Sequence, residues 1–319
     1  MPASNEPSHV VFGAGPLGFA VARELSRLKR PVRLVSRSGK PRQPLDAGIA
    51  MESADVTDAA RCREVCQGAQ AVYHCIGLPY PRWREFPALM NGVIEGAAAA
   101  GARIVYGDNV YSYGAVSGPM REGLPETATT VKGRIRAEVA GALMDSHRAG
   151  KVSAVIGRAS DFFGPGVTDA SMLGSRVFQR LLERKAAQVV GNPSRLHSYT
   201  YLPDFALALI ALADRDEAAG SIWHVPNAPA VSTKELIRQI AAICEVPPRL
   251  SAAPSWVVSL LGMFDPQLRE LREMLYEFDS DFVVDSSRFE AAFGIQATPF
   301  ERSLRETVTW WKSHRPART

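Results

Sequence analysis

Two stretches carry residue types whose spacing could do chemistry. In HVVFGAGPLG, Gly13, Gly15 and Gly18 fall as G-x-G-x-x-G, directly after an apolar run and directly before a helical pattern. Gly13 permits a tight turn, Gly15 lets the backbone approach a pyrophosphate, and Gly18 lets helix and strand pack closely. The helix start, reached through Ala14, Pro16 and Leu17, offers free N–H groups and a positive dipole end to phosphates. In RIVYGDNVYSYG, residues 103–114, an Asp, an Asn and three Tyr crowd the end of a second apolar run. A carboxyl or phenol there could give or take a proton. Asp108, at the carboxyl end of a central strand, and Tyr111, on the loop after it, are the candidates. Tyr106 reads as a strand core residue and Tyr113 as equally structural.

The elements that must position these groups alternate regularly. HVVFGAG is a continuous apolar run ended by glycines, typical of a strand buried on both faces. PLGFAVARELSRLKR follows, with Leu17, Val21, Leu25 and Leu28 at helical spacing. Further strands read in PVRLVSR, within IAMESADVTD, and in QAVYHCIG, ARIVYGD and KVSAVIGRAS, with helices between them, including one within 86–100 and one at about 130–149. Repeated crossovers imply a parallel sheet covered on both faces, a Rossmann-type doubly wound α/β fold. After Phe163 the alternation breaks and helical segments dominate. The expected division is a dinucleotide-binding domain of 7–165 plus about 196–230. A smaller, mostly helical substrate domain takes 166–195 plus about 231–319.

Composition narrows the classes. With 46% hydrophobic residues the chain has material for a sizeable core. The 37 basic and 33 acidic residues nearly balance, and no basic run with interleaved aromatics argues for nucleic acid. The N-terminus lacks the pattern of a signal peptide, and the most apolar stretch is broken by Asn91 and Glu95, which argues against a membrane span. Cys62, Cys66, Cys75 and Cys244 lack metal-site spacing and read as core residues in a reducing, cytoplasmic setting.

The second strand selects the cofactor. An NAD site usually ends it with a carboxylate for the ribose hydroxyls. Here that place holds Ser36 and Arg37. Arg37 can pair with a 2′-phosphate through its forked guanidinium, and Ser36 can donate a hydroxyl. NADP is therefore favoured, with NAD possible. The competing reading makes Arg37 a solvated loop residue.

GAGPLG, ADVTD, AVYHCIG, SYG, GRASDFFGPG and SYTYLPDFALAL together resemble the extended short-chain dehydrogenase/reductase family, the NAD-dependent epimerase/dehydratase group, over nearly the whole chain. The resemblance implies that Asp55 and Val56 border the adenine. It places Cys75, Ile76 and Gly77 under the ribose and pyrophosphate, and Ala159, Ser160 and Asp161 near the nicotinamide. Asp161 reads equally as a turn former before FFGPG. The family carries Tyr-x-x-x-Lys on the helix after the fifth strand, Tyr as acid or base and Lys on the ribose. Counting back from Glu138 puts Thr130 and Arg134 in those places; the register that uses Lys132 offers Ala128 instead. Threonine is no competent acid near neutral pH, whereas Arg134 could still hold the ribose. The helix could also be scaffold only.

Two functions follow from these residues. One is an NAD(P)-dependent oxidoreductase or redox-neutral epimerase/dehydratase, using Asp108 or Tyr111 on a small polar alcohol or carbonyl held between the domains. The other is a catalytically inactive NADP-binding sensor or regulatory protein. His74 reads as a core histidine, and His197 as one that could face substrate. Related proteins commonly pair through the two helices flanking the fifth strand, and the small residues of GAAAAGA suit close approach, so a homodimer is expected.

Overall fold

The computed structural model describes residues 8–41 and 43–314. Residues 1–7, which include the expected first residue of the nucleotide domain, and residues 315–319 at the expected end of the second domain lie outside the described residues.

The chain forms two compact units. One contains the residues up to Ser112, Lys132–Arg158 and Phe205–Val225; the other contains Tyr113–Val131, Ala159–Asp204 and the residues from Pro226 on. The division differs from the sequence reading at 113–131, 159–165, 196–204 and 226–230, all of which group with the second unit. The reason is local pairing. Asp161–Phe163 runs parallel to Tyr199–Tyr201, and Met120 bridges to Val284.

The first unit is built on a parallel sheet whose apolar strands alternate with helices along the chain. In chain order these are β1 (Ser8–Phe12), α1 (Pro16–Arg27), β2 (Val32–Ser36), β3 (Ile49–Ser53), α2 (Ala59–Cys66), β4 (Ala69–His74), α3 (Phe86–Ala100), β5 (Arg103–Asn109), α4 (Val131–Arg148) and β6 (Ala154–Ala159). A last strand, Ile222–His224, returns beside β6. The spatial order is Ile222–His224, β6, β5, β4, β1, β2, β3, seven strands among the described residues. This is the expected Rossmann-like α/β architecture, with the rest of the chain largely helical. Val10 is paired on one side with Arg33 of β2 and on the other with Val72 of β4. Strand order therefore reverses between β1 and β4, the place where ligands bind in such sheets.

The helices show why these residues fold as they do. Leu17, Val21 and Leu25 of α1 are buried, but Leu28 lies past the helix end and is exposed. Asp58 caps α2, its Oδ1 accepting from the N–H groups of Ala60 and Arg61. Gly92 and Gly96 of α3 face the second helix: a Cβ on Gly92 would lie 1.7 Å from the Val56 carbonyl oxygen, and one on Gly96 2.8 Å from that of Cys62. These two glycines thus serve packing inside the subunit.

The second unit buries its own core. Phe163, Leu173, Phe178, Leu236, Leu304 and Trp311 belong to it. Ser232 caps the helix Thr233–Ile243, its hydroxyl accepting from the Glu235 N–H. That helix and Phe300–Ser313 each bury an apolar stripe at helical spacing.

Candidate active site

The glycine turn has the geometry its spacing requires. Gly13 has φ +108°, and a Cβ there would fall 2.6 Å from the carbonyl oxygen of Cys75. A side chain is excluded both by backbone conformation and by the neighbouring loop. The Cys75 N–H donates to Phe12 O at 2.8 Å, which holds the ends of β1 and β4 together. A Cβ on Gly18 would lie 1.7 Å from the Gly13 carbonyl oxygen, so α1 packs directly on the turn. Gly15 is different. It precedes α1 with φ −90°, and no atom lies within 4 Å of where its Cβ would be. The same openness is found at Gly77. Ala14, Pro16 and Leu17 connect this open edge to the helix, whose start has no side-chain cap. Ile76 is half-buried beside the fully buried Cys75, whose thiol burial pushes well above its ordinary value.

At the end of β2, Ser36 O accepts from the N–H groups of Gly39 and Ala54, and Ser53 Oγ donates to Arg37 O. The backbone is fixed while the Arg37 side chain is exposed. Asp55 Oδ1 accepts from the Thr57 N–H and hydroxyl. Those bonds, first the backbone one, hold its carboxyl below the usual range, with a smaller pull from Arg37. Val56 is buried beside it.

Asp108 stands in a cluster of cations. Its Oδ2 accepts from Arg158 Nε at 3.0 Å, and its Oδ1 lies 3.5 Å from a terminal nitrogen of Arg136. The side chains of Asp108 and Arg158 are both 0% exposed. Arg136 also donates to the Tyr106 hydroxyl and lies over the rings of Trp83 and Phe86, at 4.4 and 4.2 Å. Tyr111 stacks on Trp83 at 5.9 Å, and its N–H donates to Asn109 Oδ1. His74 meets Tyr106 edge-on, and burial, with Arg136 nearby, pushes it down to about 3. It is a neutral core histidine.

The helix α4 presents a different pair from the one counted back from Glu138. Thr130 precedes its first residue, and Arg134 is exposed. The buried face carries Lys132 and Arg136, one turn apart, followed by Val139, Ala140 and Leu143. The Lys132 ammonium lies 4.6 Å over the Tyr80 ring. Extending the apolar phase of Leu143 and Val139 backward by helical spacing leads to Arg136 and Lys132, a signal that the motif count passed over. Arg158, Trp83 and Tyr80 were also missed; each reads from sequence as an ordinary strand or loop residue.

In the second unit Ala159 is buried, and Ser160 is committed to internal bonds. Its N–H donates to Thr200 Oγ1 and its hydroxyl to Ser198 O. Asp161, which opens the next strand, faces His197. Among the described residues, no group of three or more His, Cys, Asp or Glu is arranged to hold a metal ion, and no helix is long and apolar enough to cross a membrane.

Residues 10–225 match the family model described as NAD dependent epimerase/dehydratase family. No curated protein matches the sequence. Among solved structures, the fold is similar to MoeE5 in complex with UDP-glucose and NAD, at TM-score 0.77 and 19% identity over 96% of this chain and 99% of that one. It is similar to dTDP-glucose 4,6-dehydratase from Bacillus anthracis str. Ames in complex with NAD, at 0.79 and 12%, covering 97% of both chains. A third is UDP-N-acetylglucosamine 4-epimerase from Methanobrevibacter ruminantium M1 in complex with UDP-N-acetylmuramic acid, at 0.79 and 16%, over 97% and 99%.

Proposed function

The chain belongs to the NAD-dependent epimerase/dehydratase family, and from that premise we propose that it is a nicotinamide-dinucleotide-dependent enzyme acting on a small polar alcohol or carbonyl. The observation that carries the reading is the turn at Gly13–Gly18: closed by backbone on the Cys75 side, open beside Gly15 and Gly77. That open edge, at the start of an uncapped helix, is a cradle for a pyrophosphate. The residues that would hold the group are Gly13–Gly18, Ser36 and Arg37, Asp55 and Val56, and Cys75–Gly77. Bound there, the nicotinamide supplies hydride transfer. Fluorescence titration of the full chain with NADPH, and turnover against alcohols, carbonyls and nucleotide sugars, tests the reading. Tight binding with no turnover would support the inactive sensor instead.

Within this reading Asp108 is the counter-ion of Arg136 and Arg158, not the proton donor first assigned to it. A carboxylate with no exposed surface, already accepting from a guanidinium, has no path to a substrate oxygen. Tyr111 keeps a sliver of exposure and serves as a wall through its stack on Trp83. Arg134, being exposed, and Thr130, outside the helix, do not share the face that Lys132 and Arg136 occupy. Lys132 takes over the ribose role given to Arg134.

NADP is the preferred dinucleotide. Arg37 is exposed on a backbone fixed by Ser53, and the β2 end supplies no carboxylate to repel a 2′-phosphate. Arg37→Ala is expected to weaken NADPH binding by about 1.5–3 kcal/mol, the worth of a hydrogen bond to a charged group, and to leave NADH binding nearly unchanged. Equal wild-type affinities for the two would remove the preference.

A homodimer through α3 and α4 completes the proposal. Gly92 and Gly96 pack on the subunit's own α2 region, so the contact falls to the more exposed Ala98–Ala100 end and the outer face of α4. Sedimentation at micromolar concentration should give twice 34.6 kDa; a monomer alone would exclude it.

A further inference from the structure

We propose that Tyr80, with the Lys132 ammonium over its ring, is the acid–base group for the substrate's hydroxyl or carbonyl oxygen: a phenol supplied by the loop after β4 and not by helix α4. The proposal rests on the dinucleotide reading for its hydride partner. Every residue it uses belongs to the first unit. β4 ends at His74, Cys75–Gly77 carries the chain along the open edge of the glycine cradle, and the 3₁₀ turn Tyr80–Glu85 begins three residues after Gly77. Ligands in open α/β sheets bind beyond the carboxyl ends of the strands, where the strand order reverses. Here the order reverses between β1 and β4.

Access separates Tyr80 from the other phenols of this unit. Tyr73 and Tyr106 are 0% exposed and Tyr111 is 9% exposed, whereas Tyr80 is half-buried. Burial pushes the Tyr73 and Tyr106 phenols well above their ordinary value, which removes them from proton transfer near neutral pH. The Tyr80 ring is also held in place. Pro79 and Pro81 flank it and stiffen the backbone. Its ring meets Trp83 edge-on at 5.3 Å, and Trp83 Nε1 donates to Leu78 O at 2.9 Å, tying the turn to the loop before it.

Lys132 supplies the electrostatics. Its side chain comes from the buried face of α4, the residue is 2% exposed, and the ammonium lies 4.6 Å from the Tyr80 ring centroid. A nearby cation favours the charged form of an acid, so this ammonium stabilises a phenolate on Tyr80 more than the neutral phenol. The other charges around the turn have contacts of their own. Arg82 pairs with Glu85, and Arg136 lies over Trp83 and Phe86 and reaches Asp108. An ammonium has three donors, so the ribose role of Lys132 and its action on Tyr80 are compatible. In the oxidative direction the Tyr80 phenolate takes the substrate O–H proton. The O–H electron pair becomes the second C=O bond, and the C–H pair leaves as hydride to the oxidised nicotinamide dinucleotide. In reduction Tyr80 returns the proton to the carbonyl oxygen as hydride arrives at carbon.

The test uses the full chain. NADPH binding is measured by fluorescence, and turnover on a panel of secondary alcohols, ketones, and UDP- and dTDP-hexoses. Tyr80→Phe keeps the ring, its contact with Trp83 and its face toward Lys132. It should lower kcat by about 10²–10⁴-fold with NADPH affinity unchanged. Tyr80→Trp, aromatic but without a phenol, decides the matter if the Phe variant fails to fold. A second readout needs neither substrate nor cofactor. The phenolate absorbance that the wild type has and the Tyr80 variant lacks should rise at lower pH than the same difference measured in a Lys132→Met background. The acid limb of kcat/KM for oxidation should move to higher pH in Lys132→Met in step with it. The proposal is overturned by a Tyr80→Phe enzyme with wild-type kcat, by a Tyr80 phenolate that forms at the same pH with and without Lys132, or by a wild type that binds NADPH and turns over no member of the panel. A wild type that fails to bind NADPH sinks the dinucleotide reading instead.

Discussion

Arg158→Met is expected to destabilise the protein by about 3–5 kcal/mol, the usual cost of stripping one partner from a buried ion pair. Arg158 and Asp108 have no exposed side-chain surface, so water cannot replace the lost guanidinium. Arg136 remains, but at 3.5 Å it is the looser of the two contacts and is shared with Tyr106 and the faces of Trp83 and Phe86. Methionine nearly fills the aliphatic volume of arginine, so the loss reports charge more than cavity. Chemical denaturation gives the number. Pairing Arg158→Met with Asp108→Asn should cost less than the two single losses added, because the second change removes the stranded charge. A single-variant loss below about 1 kcal/mol would mean that the pair contributes little. An Asp108→Asn protein as stable as the wild type, yet without turnover, would return Asp108 to the role of acid.

Gly18→Ala should also be destabilising, by about 1–3 kcal/mol or more. Two effects oppose each other. Alanine is the better helix former by about 1 kcal/mol. Its Cβ, however, would sit 1.7 Å from the Gly13 carbonyl oxygen, with the Val11 side chain at 3.5 Å behind. The colliding atom is backbone, held in the turn by Gly13 N–H bonded to Val35 O, so no rotamer change relieves it. The helix must move off β1, and packing wins over propensity. A Gly18→Ala chain that unfolds at or above the wild-type denaturant midpoint would show that α1 does not rest on the turn.

The sheet was legible because most of its strands are apolar runs closed by a glycine or polar residue, with helical patterns between them. The glycine turn was legible for the same reason: its demands are local. The cation cluster was not. Asp108 is read correctly as the end of β5, but its meaning depends on Arg158, 50 residues away, and on the phase of α4. That phase was misjudged by aligning on Glu138, when Leu143 and Val139 lead back to Arg136 and Lys132. The unit boundary was missed for a related reason. The three-residue strands Asp161–Phe163 and Tyr199–Tyr201 are too short to announce themselves, and only their pairing assigns them to the second unit.

The most direct test of the central claim is a fluorescence titration of NADPH against the wild type and Gly15→Val. Gly15 has extended backbone and nothing within 4 Å of its Cβ position, so valine can be accommodated there. Its unfolding free energy should stay within about 1 kcal/mol of the wild type. The added branches would fill the space assigned to the pyrophosphate. The account predicts saturable binding to the wild type and at least a tenfold weaker affinity, about 1.4 kcal/mol, in the folded variant. Equal affinity in the two proteins, or no binding by the folded wild type, would contradict it.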